Sequence, residues 1–116
     1  MHLMVRIKRV YAAAAPEDGF RILVDRLWPR GLKKEEAAID EWMKEVAPSD
    51  ALRTWFSHDP AKWQEFKKRY SEELSDKAAP VERLRKKIKV EPVTLLYSAK
   101  DEEHNNALIL REFLEN

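Results

Sequence analysis

The residues whose types and spacing are best suited to chemistry lie in one short stretch. In order, this stretch reads Asp25-Arg26-Leu27-Trp28-Pro29-Arg30-Gly31. The guanidinium group of an arginine can hold a carboxylate or a phosphate through two parallel hydrogen bonds. Pro29 restrains Trp28 to an extended conformation and Gly31 tolerates a positive φ, so the chain is expected to leave a strand and turn here. The stretch therefore predicts an anion site at the end of a strand.

The charged residues of this stretch allow a functional and a structural interpretation. In the functional one, Arg26 and Arg30 hold the anion and Asp25 is a general base or orients the ligand. Trp28 is then a stacking platform for a base. In the structural one, Asp25 forms a buried ion pair that fixes the strand end, and the indole covers the core beside a guanidinium. The sequence leaves both interpretations open.

A second polar group of residues follows the apolar run Val93–Tyr97, which predicts a buried strand. We expect this strand to be parallel to the one before Asp25. Both carboxyl ends then meet at the edge of the sheet where α/β proteins bind ligands. A helix that begins near His104 would add free backbone N–H groups that favour anions. The predicted catalytic residues are Asp25 and His104, and the predicted binding residues are Arg26, Trp28, Arg30, Ser98, Lys100 and Asn105.

The composition restricts the class of protein. At 116 residues, with 44% hydrophobic and 37% charged residues, the chain predicts one globular α/β domain, residues 1–116. The net charge of +1 speaks against a strongly basic nucleic-acid binder. The absence of cysteine excludes disulfides, thiolate metal sites and cysteine catalysis. No signal peptide and no apolar run of membrane length is present, so we expect a cytoplasmic protein without membrane contact.

Neither a metal nor a cofactor is predicted. The three histidines include no pair spaced four residues apart, which argues against a dedicated metal site. The two glycines cannot form the phosphate loop of a nucleotide triphosphatase or a dinucleotide-binding protein. His58 precedes a helix cap and is expected to be a solvated turn residue or a local partner of Asp59.

Two kinds of hydrophobic pattern indicate the strands that must position these residues. Leu3 to Val10 alternates apolar and polar residues, which is typical of a half-buried outer strand. Phe20 to Asp25 contains a short continuous apolar run, as expected for a strand buried on both faces. Ile39 to Val46 is ambiguous, because its apolar residues also fit a helical stripe.

Capping residues and apolar spacings of three and four indicate the helices. Gly31 to Ala38 is rich in helix formers and predicts a short helix. Ser49 and Asp59 are placed as N-caps, and a proline follows Asp59 at the first helical position. The apolar stripe of the second helix consists of Trp63, Phe66, Tyr70 and Leu74. Further helices are expected after Pro80 and from the segment 101–105. Buried strands separated by helices predict a two- or three-layer α/β domain with a mainly parallel sheet of three to four strands.

Several segments also match one known family in their order and spacing. The segments are Leu23-Val24-Asp25-Arg26-Leu27-Trp28-Pro29-Arg30-Gly31, Ala47-Pro48-Ser49 with Leu52-Arg53, and Leu95-Leu96-Tyr97-Ser98-Ala99-Lys100-Asp101. They resemble the YeaO-like proteins, a family of uncharacterised proteins (domain of unknown function 488), and the resemblance covers nearly the whole chain. It implies a small α/β domain and favours a strand in Ile39 to Val46. It implies no activity.

Two functional hypotheses follow from the sequence. The first is a crevice that binds a small anionic ligand, in a protein that is either a binder or an enzyme acting on a phosphorylated or nucleotide-like small molecule. The second is a non-catalytic module for nucleic-acid or protein interaction that uses the basic segment from Arg83 to Lys89. The second is less favoured, because acidic residues almost balance the cations of the chain.

Overall fold

The computed structural model describes residues 5–116, which are built around one β-sheet. Over these residues the strands are β1 Val5–Arg9, β2 Phe20–Leu23, β3 Glu41–Trp42 and β4 Val93–Tyr97. Their order across the sheet is β1-β4-β2-β3, and all neighbours are parallel. The predicted α/β class with a mainly parallel sheet is confirmed. β1 is an edge strand, and residues 3 and 4 of the predicted outer strand lie outside the described residues.

The register between β2 and β4 determines what meets at the carboxyl edge of the sheet. Leu23 lies opposite Leu96. One residue further on, the Val24 N–H donates to the Leu96 carbonyl at 3.1 Å, so the pairing continues past the end of β2. Because the two strands are parallel, the chain leaves both at the same edge. Asp25 and Ser98 therefore emerge side by side.

Helices fill most connections between the strands. Within residues 5–116 they are α1 Lys34–Ala37, α2 Asp50–Phe56, α3 Trp63–Ser75, α4 Ala78–Val90 and α5 Asn106–Glu115. Short 3-10 turns occupy Pro16–Asp18, Lys44–Val46 and Pro60–Lys62. No helix in this part of the chain is both long enough and apolar enough to cross a membrane. The cytoplasmic location stays a prediction.

The N-caps predicted from sequence form the expected hydrogen bonds. Ser49 Oγ accepts from the Leu52 N–H at 3.2 Å at the start of α2. Asp59 accepts from the Ala61 N–H at 3.0 Å before α3. α5 is capped by Asn105, whose side-chain oxygen satisfies a free N–H group of its first turn. The last helix therefore begins within one residue of the predicted segment.

The larger hydrophobic core lies between the helices and one face of the sheet. The α3 stripe faces this core: Phe66 is 3% exposed, and Tyr70 and Leu74 are equally buried. Phe66 stacks on Phe56 of α2 with ring centroids 4.1 Å apart. Trp63 packs against the same core but is only partly buried. The helical spacing of the stripe is thus explained by packing.

The opposite face of the sheet is covered mainly by loop segments rather than by helices. Its cluster consists of Val10, Leu23 and Leu96, against which Trp28, Leu32, Ile39 and Trp42 pack. The helical alternative for Ile39 to Val46 is wrong, because Val46 packs into the larger core and not beside Ile39. The strand interpretation is confirmed only for Glu41–Trp42, after which the chain tightens into the turn Lys44–Val46. This tightening carries Val46 to the other face.

A buried ion pair fastens the amino end of β2. The Arg21 guanidinium donates to the Asp18 carboxylate, and the two residues are 5% and 2% exposed. Arg21 also donates to the Ala38 carbonyl at 2.8 Å and to the Ala37 carbonyl at 3.2 Å, which ties α1 to the sheet. Lys8 Nζ of β1 approaches Asp18 Oδ1 at 2.8 Å. The Asp18 carboxylate therefore links two strands, and its partner Arg21 links them to the end of α1.

Candidate functional site

A cavity of about 420 Å³ opens at the carboxyl edge of the sheet. The loop after β2, the α2 region, α3 and the segment between β4 and α5 all contribute to its wall. The lining residues are Tyr11, Asp25, Arg26, Leu27, Trp28, Arg30, Pro48, Arg53, Phe56, His58, Phe66, Ser98, Ala99, His104, Asn105 and Asn106. Of the eight residues predicted for the site, all except Lys100 are in this lining. The two distant segments singled out in the sequence thus share one crevice.

Asp25 is held in the crevice by the residue that follows β4. Its Oδ2 accepts two hydrogen bonds from Ser98, one from the backbone N–H at 2.8 Å and one from the hydroxyl at 2.7 Å. The Asp25 carbonyl accepts from the Trp42 indole N–H at 2.7 Å. Asp25 forms no ion pair within residues 5–116, so the predicted structural ion pair with an arginine is not the contact that fixes it.

Burial raises the pKa of Asp25 above its ordinary value, because the charged form loses hydration in the crevice. The two hydrogen bonds from Ser98, the amide of Asn106 and the neighbouring His58 favour the charged form and oppose this shift. The Asn106 amide itself donates to the Val24 carbonyl at 2.9 Å. The carboxyl group is therefore both partly desolvated and firmly oriented.

Three arginines from two parts of the chain line the crevice, and they are engaged to different degrees. Arg26 Nε donates to the Pro48 carbonyl at 2.9 Å, so this side chain also serves the structure. Arg53 is exposed and reaches Asp50 at 3.4 Å, a long contact between solvated groups. Arg30 is exposed, and its guanidinium makes no ion pair or hydrogen bond within residues 5–116. Arg30 and Arg53 thus retain most of their donors for a ligand.

The two histidines of the crevice differ in their contacts. His104 Nδ1 lies 2.9 Å from Asp101 Oδ2, and its ring meets Trp63 edge-on with centroids 5.2 Å apart. Asp101 also accepts from the His104 N–H at 3.0 Å. These contacts lower the pKa of Asp101, with the backbone N–H of Glu103 the largest contributor. His104 is therefore a held side chain with its Nε2 as the ring nitrogen left for other contacts.

His58 is exposed in the turn after α2, in agreement with the predicted solvated turn residue. It also lines the crevice, a position that was not predicted. It has φ 56°, directly after Ser57 with φ 46°, and both values lie in the left-handed region that costs energy for residues other than glycine. The end of α2 thus turns His58 back towards the cavity. No local sequence pattern indicates this, since neither residue is glycine or asparagine.

The remaining predicted residues take mainly structural positions. Trp28 donates its indole N–H to the Leu32 carbonyl at 2.6 Å and meets the Trp42 ring edge-on at 5.4 Å. Asn105 is buried and occupied as the α5 cap. Lys100 is exposed in the turn after β4 and is not part of the cavity lining. The binding role predicted for Lys100 has no support from its position, because the chain turns outward after the lining residue Ala99.

The basic segment on α4 is largely engaged within the molecule. Arg83 pairs with Glu45 at 2.9 Å. Arg85 donates to the Phe113 carbonyl at 3.1 Å, and Lys87 pairs with Glu91 at 3.0 Å. Lys86 and Lys89 are exposed and make no ion pair within residues 5–116. These five cations therefore do not form one free surface. No group of three or more potential metal ligands occurs in the part of the chain that the structure describes.

The fold and the site define a class: a small parallel α/β domain with a crevice rich in cations at the carboxyl edge of its sheet. The family model described as "Inactive DUF488-N3 subclade" matches residues 4–116, and the chain belongs to this family. It is 46% identical over 110 residues to the uncharacterized protein YeaO of Escherichia coli, covering 95% of this chain and 96% of that protein. The resemblance to the YeaO-like proteins is thereby confirmed.

Relatives occur in mycobacteria as well. Uncharacterized proteins of Mycobacterium tuberculosis and Mycobacterium bovis are 43% identical over 110 residues, covering 95% of this chain and 92% of each relative. No solved structure matches the chain significantly.

Proposed function

We propose that the crevice binds a small anionic ligand, such as a phosphate ester, and that the protein acts by binding it rather than by transforming it. The observation that carries this proposal is the lining itself: Arg26 and Arg30 from the loop after β2 and Arg53 from α2 line one cavity. Arginine is always charged, and its forked donors match the oxygen atoms of phosphate and carboxylate. Anion binding is the interaction that such a lining favours.

Binding without turnover is supported by the state of the two residues predicted to be catalytic. Asp25 is held by Ser98 and His104 by Asp101, and no hydrogen bond joins the two pairs. Each pair orients one side chain of the cavity lining, as a binding site requires, and the two pairs do not form a relay with each other. The family description contains the word "Inactive", which points in the same direction.

Thermal shift and calorimetry with inorganic phosphate, nucleoside monophosphates, sugar phosphates and small carboxylates test the proposal. A ligand present at 100 times its Kd stabilises the folded state by about 2.7 kcal/mol. The double variant Arg30→Gln/Arg53→Gln removes two exposed cations whose loss leaves the core intact. It is expected to weaken phosphate binding by about tenfold or more, equivalent to about 1.4 kcal/mol.

Lys86→Gln is the matched control, since it removes an exposed cation on α4, outside the cavity lining. It should bind phosphate as the parent does. The proposal fails if none of these anions raises the melting temperature, or if the double variant responds like the parent and the control.

The interaction module remains a second hypothesis with a distinct signature. Nucleic-acid binding through phosphates loses affinity steeply with salt, in proportion to the number of phosphates neutralised. Only Lys86 and Lys89 of the basic segment are free of both ion pairs and hydrogen bonds within residues 5–116, so the expected salt dependence is shallow. Anisotropy measurements with labelled DNA and RNA at several salt concentrations separate the two hypotheses, because the crevice proposal predicts no effect of Lys86→Gln/Lys89→Gln.

A further inference from the structure

The crevice combines groups of opposite charge at different depths. Asp25 extends from the end of β2, next to the buried rings of Phe56 and Phe66 that share the cavity lining. Arg30 and Arg53 are exposed, so they occupy the solvent side of the same cavity. An anion without a hydrogen-bond donor can pair with the arginines, but it cannot form a hydrogen bond with the Asp25 carboxylate.

We propose that the ligand of this crevice carries, besides its anionic group, a hydrogen-bond donor on the same molecule, either an ammonium or a hydroxyl group, which contacts Asp25. This inference rests on the proposed function, and it narrows the ligand class from any small anion to an anion with a donor. In this arrangement the arginines of the rim hold the anionic end. The Asp25 carboxylate then favours ligands that carry a hydrogen-bond donor at the end opposite the anionic group.

The hydrogen bonds of the Asp25 carboxylate favour this arrangement. Both hydrogen bonds from Ser98 go to Oδ2. None of the hydrogen bonds within residues 5–116 ends on Oδ1, although the Asn106 amide is near enough to favour the charged carboxylate. No side-chain oxygen of the described residues is both fully buried and without a partner, so Oδ1 keeps some exposure, and Asp25 lines the cavity. Asp25 thus has one oxygen held by Ser98 and a second oxygen that a ligand can reach.

The energetics point the same way. Burial of the carboxylate removes water that would hydrate its charge, and the remaining donors compensate only in part. A donor brought by the ligand restores this lost interaction, and a hydrogen bond to a charged group is roughly twice as strong as one between neutral groups. An anion without a donor would instead be repelled by Asp25 across the same cavity. The crevice therefore discriminates between anions that differ only in the second group.

Three matched phosphate monoesters provide the test: ethyl phosphate, 2-hydroxyethyl phosphate and 2-aminoethyl phosphate. They differ only in the substituent on the second carbon, which is a hydrogen atom, a hydroxyl group or an ammonium group. Calorimetry on the full chain is expected to give the tightest binding for one of the two donor-bearing esters, by about tenfold over ethyl phosphate. This comparison uses the parent protein and needs no variant.

Asp25→Asn supplies the second arm of the experiment. The amide oxygen of asparagine can keep the two hydrogen bonds from Ser98, and its NH₂ group then replaces the free acceptor with a donor. Because the repulsion from the Asp25 charge is gone, the variant should bind ethyl phosphate at least as tightly as the parent does, and it should lose the preference for 2-aminoethyl phosphate, whose ammonium group can only donate. Lys86→Gln, outside the cavity lining, should keep that preference.

The possible failures are distinguishable. If none of the three esters binds, the anion-binding function itself is wrong. If all three bind equally, or ethyl phosphate binds best, the crevice binds anions and the inference about the donor is wrong. The inference is also overturned if Asp25→Asn binds ethyl phosphate but keeps the full preference for a donor.

Discussion

Replacing Asp18 by alanine is a perturbation for which the structure predicts a large loss of stability. The carboxylate of Asp18 is 2% exposed and is the charged partner of the buried Arg21 guanidinium. It also accepts from Lys8 Nζ at 2.8 Å and from the Ala15 N–H at 3.0 Å. Asp18→Ala removes all of these contacts at once and leaves a guanidinium buried without its counter-charge.

The expected cost follows from that unpaired charge. Breaking a buried ion pair by removing one partner costs about 3–5 kcal/mol. Arg21 keeps its hydrogen bonds to the carbonyls of Ala37 and Ala38, so its donors are not all lost and the lower half of this range is expected. For a domain of about 100 residues, each kcal/mol lowers the melting temperature by about 4–8 °C. A loss of about 3 kcal/mol is a large share of the 5–15 kcal/mol typical of folded domains.

Urea denaturation followed by far-UV circular dichroism measures this loss, with the midpoint and the slope fitted together. Glu17→Ala is the matched control, because Glu17 is an acidic residue of the same turn but is exposed. It should change the free energy of unfolding by no more than about 0.5 kcal/mol. A cost below about 1 kcal/mol for Asp18→Ala, or a cost equal to that of Glu17→Ala, would refute the reasoning.

Three further predictions test other parts of the structure. Burial alone would raise the pKa of Asp18, but hydrogen bonds from Lys8, the Ala15 N–H and Arg21 hold it below its ordinary value. The charged Asp18 therefore stabilises the folded state above its unfolded pKa of about 3.9, and this stabilisation is lost as the pH falls through the lower folded pKa. In Asp18→Asn the free energy of unfolding should consequently depend less steeply on pH in the acid range. Phe66→Ala should lower the free energy of unfolding by about 3–5 kcal/mol, and Trp63→Ala should lower it less, because the Trp63 indole is only partly buried. The reverse order in denaturant melts would contradict the packing. Ser98→Ala should raise the pKa of Asp25 further in a carbon-13 NMR titration, and a lower pKa would disprove the role of the hydroxyl.

The regular elements were predictable because each has a strong local cause. The α3 stripe follows from apolar spacings of three and four, and the start of α2 from the Ser49 cap. Val93–Tyr97 was predictable as a buried strand because it is a short apolar run. The structure of the segment Ile39 to Val46 was not predictable, because its pairing with β2 is set by tertiary contacts. It contains only a two-residue strand, Glu41–Trp42.

The site was predictable where it depended on topology. Parallel pairing of β2 with β4 necessarily brings Asp25 beside Ser98, and both positions could be inferred from the strand ends. The positions of His58 and Arg53 in the cavity lining could not be inferred, because α2 is not part of the sheet and its orientation depends on packing against α3. The interior position of Arg21 was equally hidden, since nothing in its neighbourhood distinguishes it from a solvated arginine.

A nitrogen-15 NMR titration with inorganic phosphate decides whether the crevice is an anion site. Saturable chemical-shift changes, described by one Kd, are expected in the backbone amides of residues 25–31, 53–58 and 98–106, the segments that contribute most of the cavity lining. The amides of α4 should stay unchanged and serve as the internal control. Shifts that are largest on α4, or that spread over the surface without saturation, would contradict an anion site at the carboxyl edge of the sheet.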